Sequence, residues 1–365
     1  QRAFIMVAVM LFALMIGRRA ISLRGVAIAA TLVLVLRPEA LMGPGFQMSF
    51  AATTALVAVF GWMRDGEVKL GPKWLQPALA VFLSSAVAGF ATAPIAAAHF
   101  NAIAQYGLLA NLASVPLMGV LVIPAAVVAA VLAPLGLEAI GLWMMSLGVN
   151  WILYVAHFVA GLPQARTYVV GPAGGVVPLL TLGFLMLLLW RGRLRWSGAV
   201  AMAASFVVWS QTERPDVLIA DTGTLVGVMT DQGRALSKAK GAGFVADNWL
   251  ENDGDGTGQE AAAARWRADS PVIHLSGKRA VEGFTGCVQG QLVISSVVLP
   301  HRNLPCVVHD PETLRNTGAV AYSYGSDGTL KQLTTRSRAG DRLWTQWPER
   351  GPRPGSVSHD SRNAD

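Results

Sequence analysis

Apolar residues run in long blocks through the first 210 positions and then give way to short stretches set among polar ones. Eight blocks stand out, at Phe4–Gly17, Gly25–Leu36, Met48–Met63, Leu79–Ala98, Leu108–Ala133, Leu137–Ala160, Val176–Trp190 and Trp196–Ser210. A bilayer core of about 30 Å is crossed by about 20 helical residues rising 1.5 Å each. The blocks are therefore expected to be about eight spanning helices, the first two short enough to need polar flanks or burial against neighbours. Beyond Ser210 the pattern predicts strands. Val217–Ala220 and Leu225–Met229 flank Asp-Thr-Gly-Thr as a hairpin, and Gln291–Leu299 and Leu304–His309 read as buried strands. Arg234–Lys240 reads as a solvated helix, Gly254–Gly258 as a turn-rich loop, and 348–365 as a disordered end. The expected fold is a polytopic α-helical membrane domain over 1–212 followed by a small mixed α/β soluble domain over 213–347.

Charge sharpens this division. Only 14% of the 365 residues are charged, against roughly 25% in an ordinary soluble domain. Residues 1–212 hold 12 Lys and Arg against 4 Asp and Glu, whereas 213–365 hold 17 against 18. A disordered chain, a fibrous repeat and a typical cytosolic enzyme are excluded. The cations also alternate between the ends of the blocks. Nine (Arg18, Arg19, Arg24, Arg64, Lys69, Lys73, Arg191, Arg193 and Arg195) fall on one side and three (Arg2, Arg37 and Arg166) on the other. By the positive-inside rule the richer side is cytoplasmic, so the tail is expected outside the cytoplasm, on a periplasmic or extracellular side. Gln1, with no basic stretch before the first block, reads as the continuation of upstream spans rather than as a signal peptide.

Polar residues within apolar blocks are costly unless paired or hydrated, and they mark either function or helix contacts. Two clusters qualify. In Arg37-Pro-Glu-Ala-Leu-Met-Gly-Pro-Gly-Phe-Gln-Met-Ser-Phe50 the residues Pro38, Gly43, Pro44 and Gly45 forbid a continuous helix, and Gln47, Ser49, Thr53 and Thr54 enter the next span. The second runs from Pro94 to Pro116 and carries His99, Asn101, Gln105, Asn111 and Ser114, with Pro116 expected to kink or break its helix. Irregular backbone at membrane depth is tolerated where it lines a cavity or is packed in protein. The two readings are a polar path between helices and plain helix-to-helix glue.

At these residues the chain resembles the ComEC-type competence DNA-uptake channel family. The stretch Arg37-Pro38 with Pro44-Gly45-Phe46-Gln47-Met48-Ser49-Phe50 is similar to that family's arginine–proline and Pro-Gly-Phe-Gln-Leu-Ser-Phe motif, with Met48 in place of Leu. Asn111-Leu-Ala-Ser-Val-Pro116-Leu, preceded by Pro94 and His99-Phe100, resembles its Asn-Leu-x-x-Val-Pro-Leu motif. The resemblance covers about residues 1–210. It implies a channel passing single-stranded transforming DNA across the inner membrane, possible self-association, an outer DNA receptor, and cytoplasmic translocating or strand-binding partners. It also implies a tail related to metallo-β-lactamase domains. The tail's His274, His301, His309 and His359 include no His-x-His-x-Asp-His run, so the expectation is a degenerate, non-catalytic relative holding no metal or other cofactor. Asp253-Gly-Asp-Gly-Thr-Gly258 fails as a calcium loop because its twelfth position is Ala264. Cys287 and Cys306 form either one disulfide or two separate thiols. A small-solute or lipid transporter and a membrane-anchored hydrolase are the rival functions.

Overall fold

Helix boundaries follow the punctuation residues. In the computed structural model, which describes residues 2–15, 22–68, 71–267, 270–300, 304–325, 329–340 and 342, α1 (Arg2–Met15) is followed by α2 (Leu23–Leu36). Ser22 caps α2, its hydroxyl accepting the Gly25 N–H. Pro38–Met42 forms a single 3₁₀ turn, and extended Gly43 with Pro44 at the first helical position opens α3 (Pro44–Asp65). Then come α4 (Gln76–Phe100), β1 (Ala102–Ala104), α5 (Gly107–Leu117), α6 (Ile123–Leu132), α7 (Glu138–Ala160), β2 (Arg166–Tyr168), α8 (Val176–Leu189) and α9 (Trp196–Ser210).

Among the described residues four helical runs are long and apolar enough to cross a membrane, namely Pro44–Asp65, Gln76–Phe100, Gly107–Leu135 and Glu138–Ala160. The expectation of about eight spans is corrected here. The other four blocks do fold as helices, but α1, α2 and α8 have 14 residues and α9 has 15. At 1.5 Å per residue each reaches little more than 20 Å, short of the hydrocarbon thickness.

Neighbouring helices pair as hairpins, with α1 on α2, α3 on α4, α6 on α7 and α8 on α9. Small residues set the closest approaches, as membrane helices require in the absence of a hydrophobic drive. A Cβ on Gly183 would lie 2.7 Å from the Gly198 carbonyl oxygen, and Gly141 and Gly148 of α7 sit against Ala129 and Val122. Pro116 does not break its helix. Pro116 has no N–H to donate along the helix, the Met118 N–H is shared between the Ser114 and Val115 carbonyls, and a π-helical turn over Met118–Val122 leads into α6.

The chain divides into two compact units, Gln1–Glu213 with Trp249–Gly256, and Arg214–Asn248 with Thr257–Asp365. The second is built on two sheets. Strands β3 (Val217–Ile219), β4 (Val226–Thr230) and β5 (Gly233–Leu236) precede α10 (Gly243–Asn252), whose last residues count with the first unit, and α11 (Gln259–Ala263). Next are β6 (Val272–Leu275), α12 (Lys278–Glu282), β7 (Leu292–Ser295), β8 (Val307–His309), α13 (Pro311–Thr317), β9 (Val320–Tyr324), β10 (Leu330–Thr334) and α14 (Thr335–Ala339). The antiparallel sheet has the order β10-β9-β3-β4-β5 and the parallel one β6-β7-β8. Val217, Ile219, Val226, Val320 and Tyr322 of the first meet Val272, Leu292 and Ile294 of the second in one core. A smaller cluster around Val293 and Leu299 contains Cys287 and Cys306, which are joined as a disulfide with Cα atoms 6.0 Å apart.

The helix expected over Arg234–Lys240 is absent. Thr230 pairs with Gly233 across a tight turn, and Arg234, Ala235 and Leu236 are fully buried in β5. Arg234 looked solvated in sequence, but its guanidinium donates to the carbonyls of Pro215 (2.9 Å) and Gly227 (3.4 Å). The expected disordered end, 348–365, lies outside the described residues, as do His301 and His359.

Candidate functional site

The two polar clusters meet at one end of the membrane unit. Gln47, on the first turn of α3, reaches back across the 3₁₀ turn and donates from Nε2 to the Leu41 carbonyl at 2.9 Å. That leaves Oε1 as its acceptor, and His99 Nε2 of α4 lies 2.8 Å away. An amide oxygen cannot donate, so His99 carries its proton on Nε2. One side chain thus ties the turn, α3 and α4 together. Thr54, one α3 face further down, is buried, and Ser49 accepts the Thr53 hydroxyl at its carbonyl (2.8 Å).

Two residues past His99, Asn101 ends α4 in the left-handed region at φ 51°, a conformation Asn tolerates better than most residues. Asn101 is buried, its carbonyl accepts the Val169 N–H at 2.9 Å, and its Nδ2 has no partner among the described residues. β1 then pairs antiparallel with β2. Gln105 donates its backbone N–H to Ala165 and its side-chain amide to Thr167 Oγ1 (2.8 Å), while the Tyr106 hydroxyl donates to Pro163.

Residues 249–256 lie against this hairpin. Val170 bridges Asp253, the Gly171 N–H donates to the Asn252 carbonyl at 2.8 Å, and Arg166 pairs with Glu251 at 3.2 Å while lying 4.9 Å from the Tyr168 ring centre. Gly171 packs tightly here, since a Cβ there would sit 3.0 Å from both Asn101 Nδ2 and Asn252 Oδ1. Trp209 at the end of α9 donates from Nε1 to the Val170 carbonyl. The result is a polar layer of hydrogen-bonding side chains, edged by the paired charges of Arg166 and Glu251. Its hydrogen-bonding groups are amides, an imidazole and hydroxyls rather than a dense cluster of charges.

The other motif residues divide between structure and surface. Pro38 starts the 3₁₀ turn, and Pro44 and Gly45 form the first turn of α3. Phe46 and Phe50, with ring centres 4.5 Å apart, are buried against Val26, Ala29 and Val33 of α2. Arg37 is exposed. Asn111 is exposed on α5, away from the Gln47–His99 pair and with no hydrogen-bond partner among the described residues. The docking of residues 249–256 had no sequence signal, because Arg166 and Glu251 are 85 residues apart.

In the second unit the described histidines serve the fold. His274 Nε2 lies 3.0 Å from the Gly223 carbonyl, and His309 Nε2 lies 2.7 Å from the Tyr322 hydroxyl with Nδ1 buried and unpartnered. Burial pushes both imidazoles below the usual range, with Asp310 partly opposing this at His309, and burial pushes the Tyr322 hydroxyl up. Burial also works to raise Asp310, but the N–H and hydroxyl of Thr313 and the N–H of Leu299 more than offset it and hold the carboxyl low. Among the described residues no three His, Cys, Asp or Glu side chains come together to hold a metal ion.

No curated protein and no solved structure matches the chain. A family model described as Competence protein matches residues 1–194, more than half of the chain, and its span includes Gln47, His99, Asn101, Gln105 and Arg166 but not Trp209 or residues 249–256. This membrane protein, with its polar layer at one end of an apolar bundle, therefore belongs to the competence protein family.

Proposed function

We propose that the membrane unit forms the path by which one strand of transforming DNA crosses the bacterial inner membrane during natural competence, with the tail outside the cytoplasm. Family membership links the chain to DNA uptake in competence. The observation that carries the further step is the Gln47–His99 hydrogen bond, which joins the two family-motif stretches into one polar layer within an otherwise apolar bundle. A single strand carries about one charge per nucleotide and bases that accept and donate hydrogen bonds, so its path needs polar lining and weak retention. Gln47, His99, Asn101 and Gln105 provide such a lining, and Arg166 supplies a modest positive rim that Glu251 moderates. We further propose that an outer receptor delivers the DNA and that cytoplasmic strand-binding or translocating proteins draw it inward.

Labelled DNA in cells carrying the full-length gene, its deletion, and Gln47→Leu tests this. DNA that still binds outside but is not nuclease-protected inside the deletion strain is expected, with Gln47→Leu reducing protection at normal protein levels. Undiminished protection in the deletion strain would overturn the proposal.

A further inference from the structure

The first turns of α3 have two sides. Gln47 faces α4, whereas Phe46 packs toward α2. On this second side, α1, α2 and the 3₁₀ turn leave an open cleft of about 990 Å³. Its walls include Ile5, Val33, Leu36 and Phe46, and Arg37 and Glu39 line it where α2 gives way to the turn. The two charges stand two residues apart, yet they make no ion pair with each other and have no other partner among the described residues. An apolar wall leading to one unpaired cation and one unpaired anion is the complement of a zwitterionic amphiphile.

We propose that this cleft holds one phospholipid with a primary-ammonium zwitterionic headgroup, of the ethanolamine class. Its upper acyl chain covers Ile5, Val33, Leu36 and Phe46, its phosphate meets Arg37, and its ammonium meets Glu39. A guanidinium suits a phosphate because its planar fork can donate two parallel hydrogen bonds. A carboxylate favours a primary ammonium, which has three N–H donors, over a quaternary one, which has none. The volume is at the upper end for small-molecule sites, enough for a headgroup and the first part of a chain that continues into the bilayer. The cleft lies on the side of α3 away from the Gln47–His99 pair, so this assignment does not depend on the transport reading.

The test uses the purified full chain in mild detergent, titrated separately with phosphatidylethanolamine, phosphatidylcholine and phosphatidylglycerol and followed by native mass spectrometry. One retained lipid is expected, with ethanolamine favoured over the other two by about tenfold. Arg37→Gln should weaken retention of all three by a similar factor, and Glu39→Gln should remove the preference for ethanolamine over glycerol. Leu36→Trp, which fills the wall and keeps both charges, should also weaken all three, so the outcome does not rest on one variant. Equal retention of the three lipids by the unaltered chain, or unchanged retention in both Arg37→Gln and Leu36→Trp, would overturn the assignment.

Discussion

Gln47 carries two hydrogen bonds that no other residue of its cluster duplicates. Side-chain hydrogen bonds between membrane helices average only about 0.6 kcal/mol, so Gln47→Leu should leave membrane abundance nearly unchanged. It should nevertheless lower cytoplasmic DNA import at least tenfold if the amide lines the path; immunoblotting beside a nuclease-protection assay separates the two effects. A fall in abundance that matches the fall in import would mark Gln47 as glue. At the same scale, His274 and His309 are held neutral by burial in the second unit. With folded values below the ordinary 6.5, the unfolded chain takes up protons that the folded chain refuses. The stability this provides is complete above about pH 6.5 and falls as pH drops through the window below it; Asp310 adds the same sign at more acid pH. Hydrogen-exchange protection factors at β8 and β9 in the full chain, which remove the intrinsic slowing of exchange toward acid pH, should therefore fall between pH 7.5 and 5.5. Substituting both histidines by Gln should flatten the dependence.

Among elements, the paired helices are held at distances only glycine permits. A Cβ on Gly198 would come 2.5 Å from the Leu187 N, whereas one on Gly119 in the π turn would meet nothing within 4 Å. Gly198→Leu should prise α9 from α8 and lower membrane abundance severalfold by immunoblot, while Gly119→Ala should be tolerated. Helices of this kind were legible because block hydropathy is a local property. Met48–Met63 marks the apolar part of α3, and Val176–Trp190 coincides with α8 to within one residue. Crossing number was not legible, since it depends on helix length, and 14 residues stay short however apolar they are. β5 was misread for a different reason. Arg234 and its neighbours have the composition of a solvated helix, and only the carbonyls of Pro215 and Gly227, brought close by folding, turn the guanidinium inward.

At the level of the whole molecule, sequence motifs located both polar clusters but not the bond between them, because Gln47 and His99 are 52 residues apart. Nor did they show that residues 249–256 fold onto the β1–β2 hairpin. The Cys287–Cys306 bond spans 19 residues, and closing a loop of that size should stabilise the second unit by about 3 kcal/mol. Cys287→Ser with Cys306→Ser should lower its denaturant midpoint accordingly, without altering the membrane unit's helix content. The central claim, that DNA passes beside the Gln47–His99 pair, is tested most directly by placing a photoreactive amino acid at position 47, 99 or 158 in competent cells and illuminating during uptake. Phe158 is exposed on α7 and serves as the outward-facing reference. Cross-links to incoming DNA at 47 and 99 but not at 158 are the expected result. DNA import that continues with no cross-link at either 47 or 99 would contradict the account.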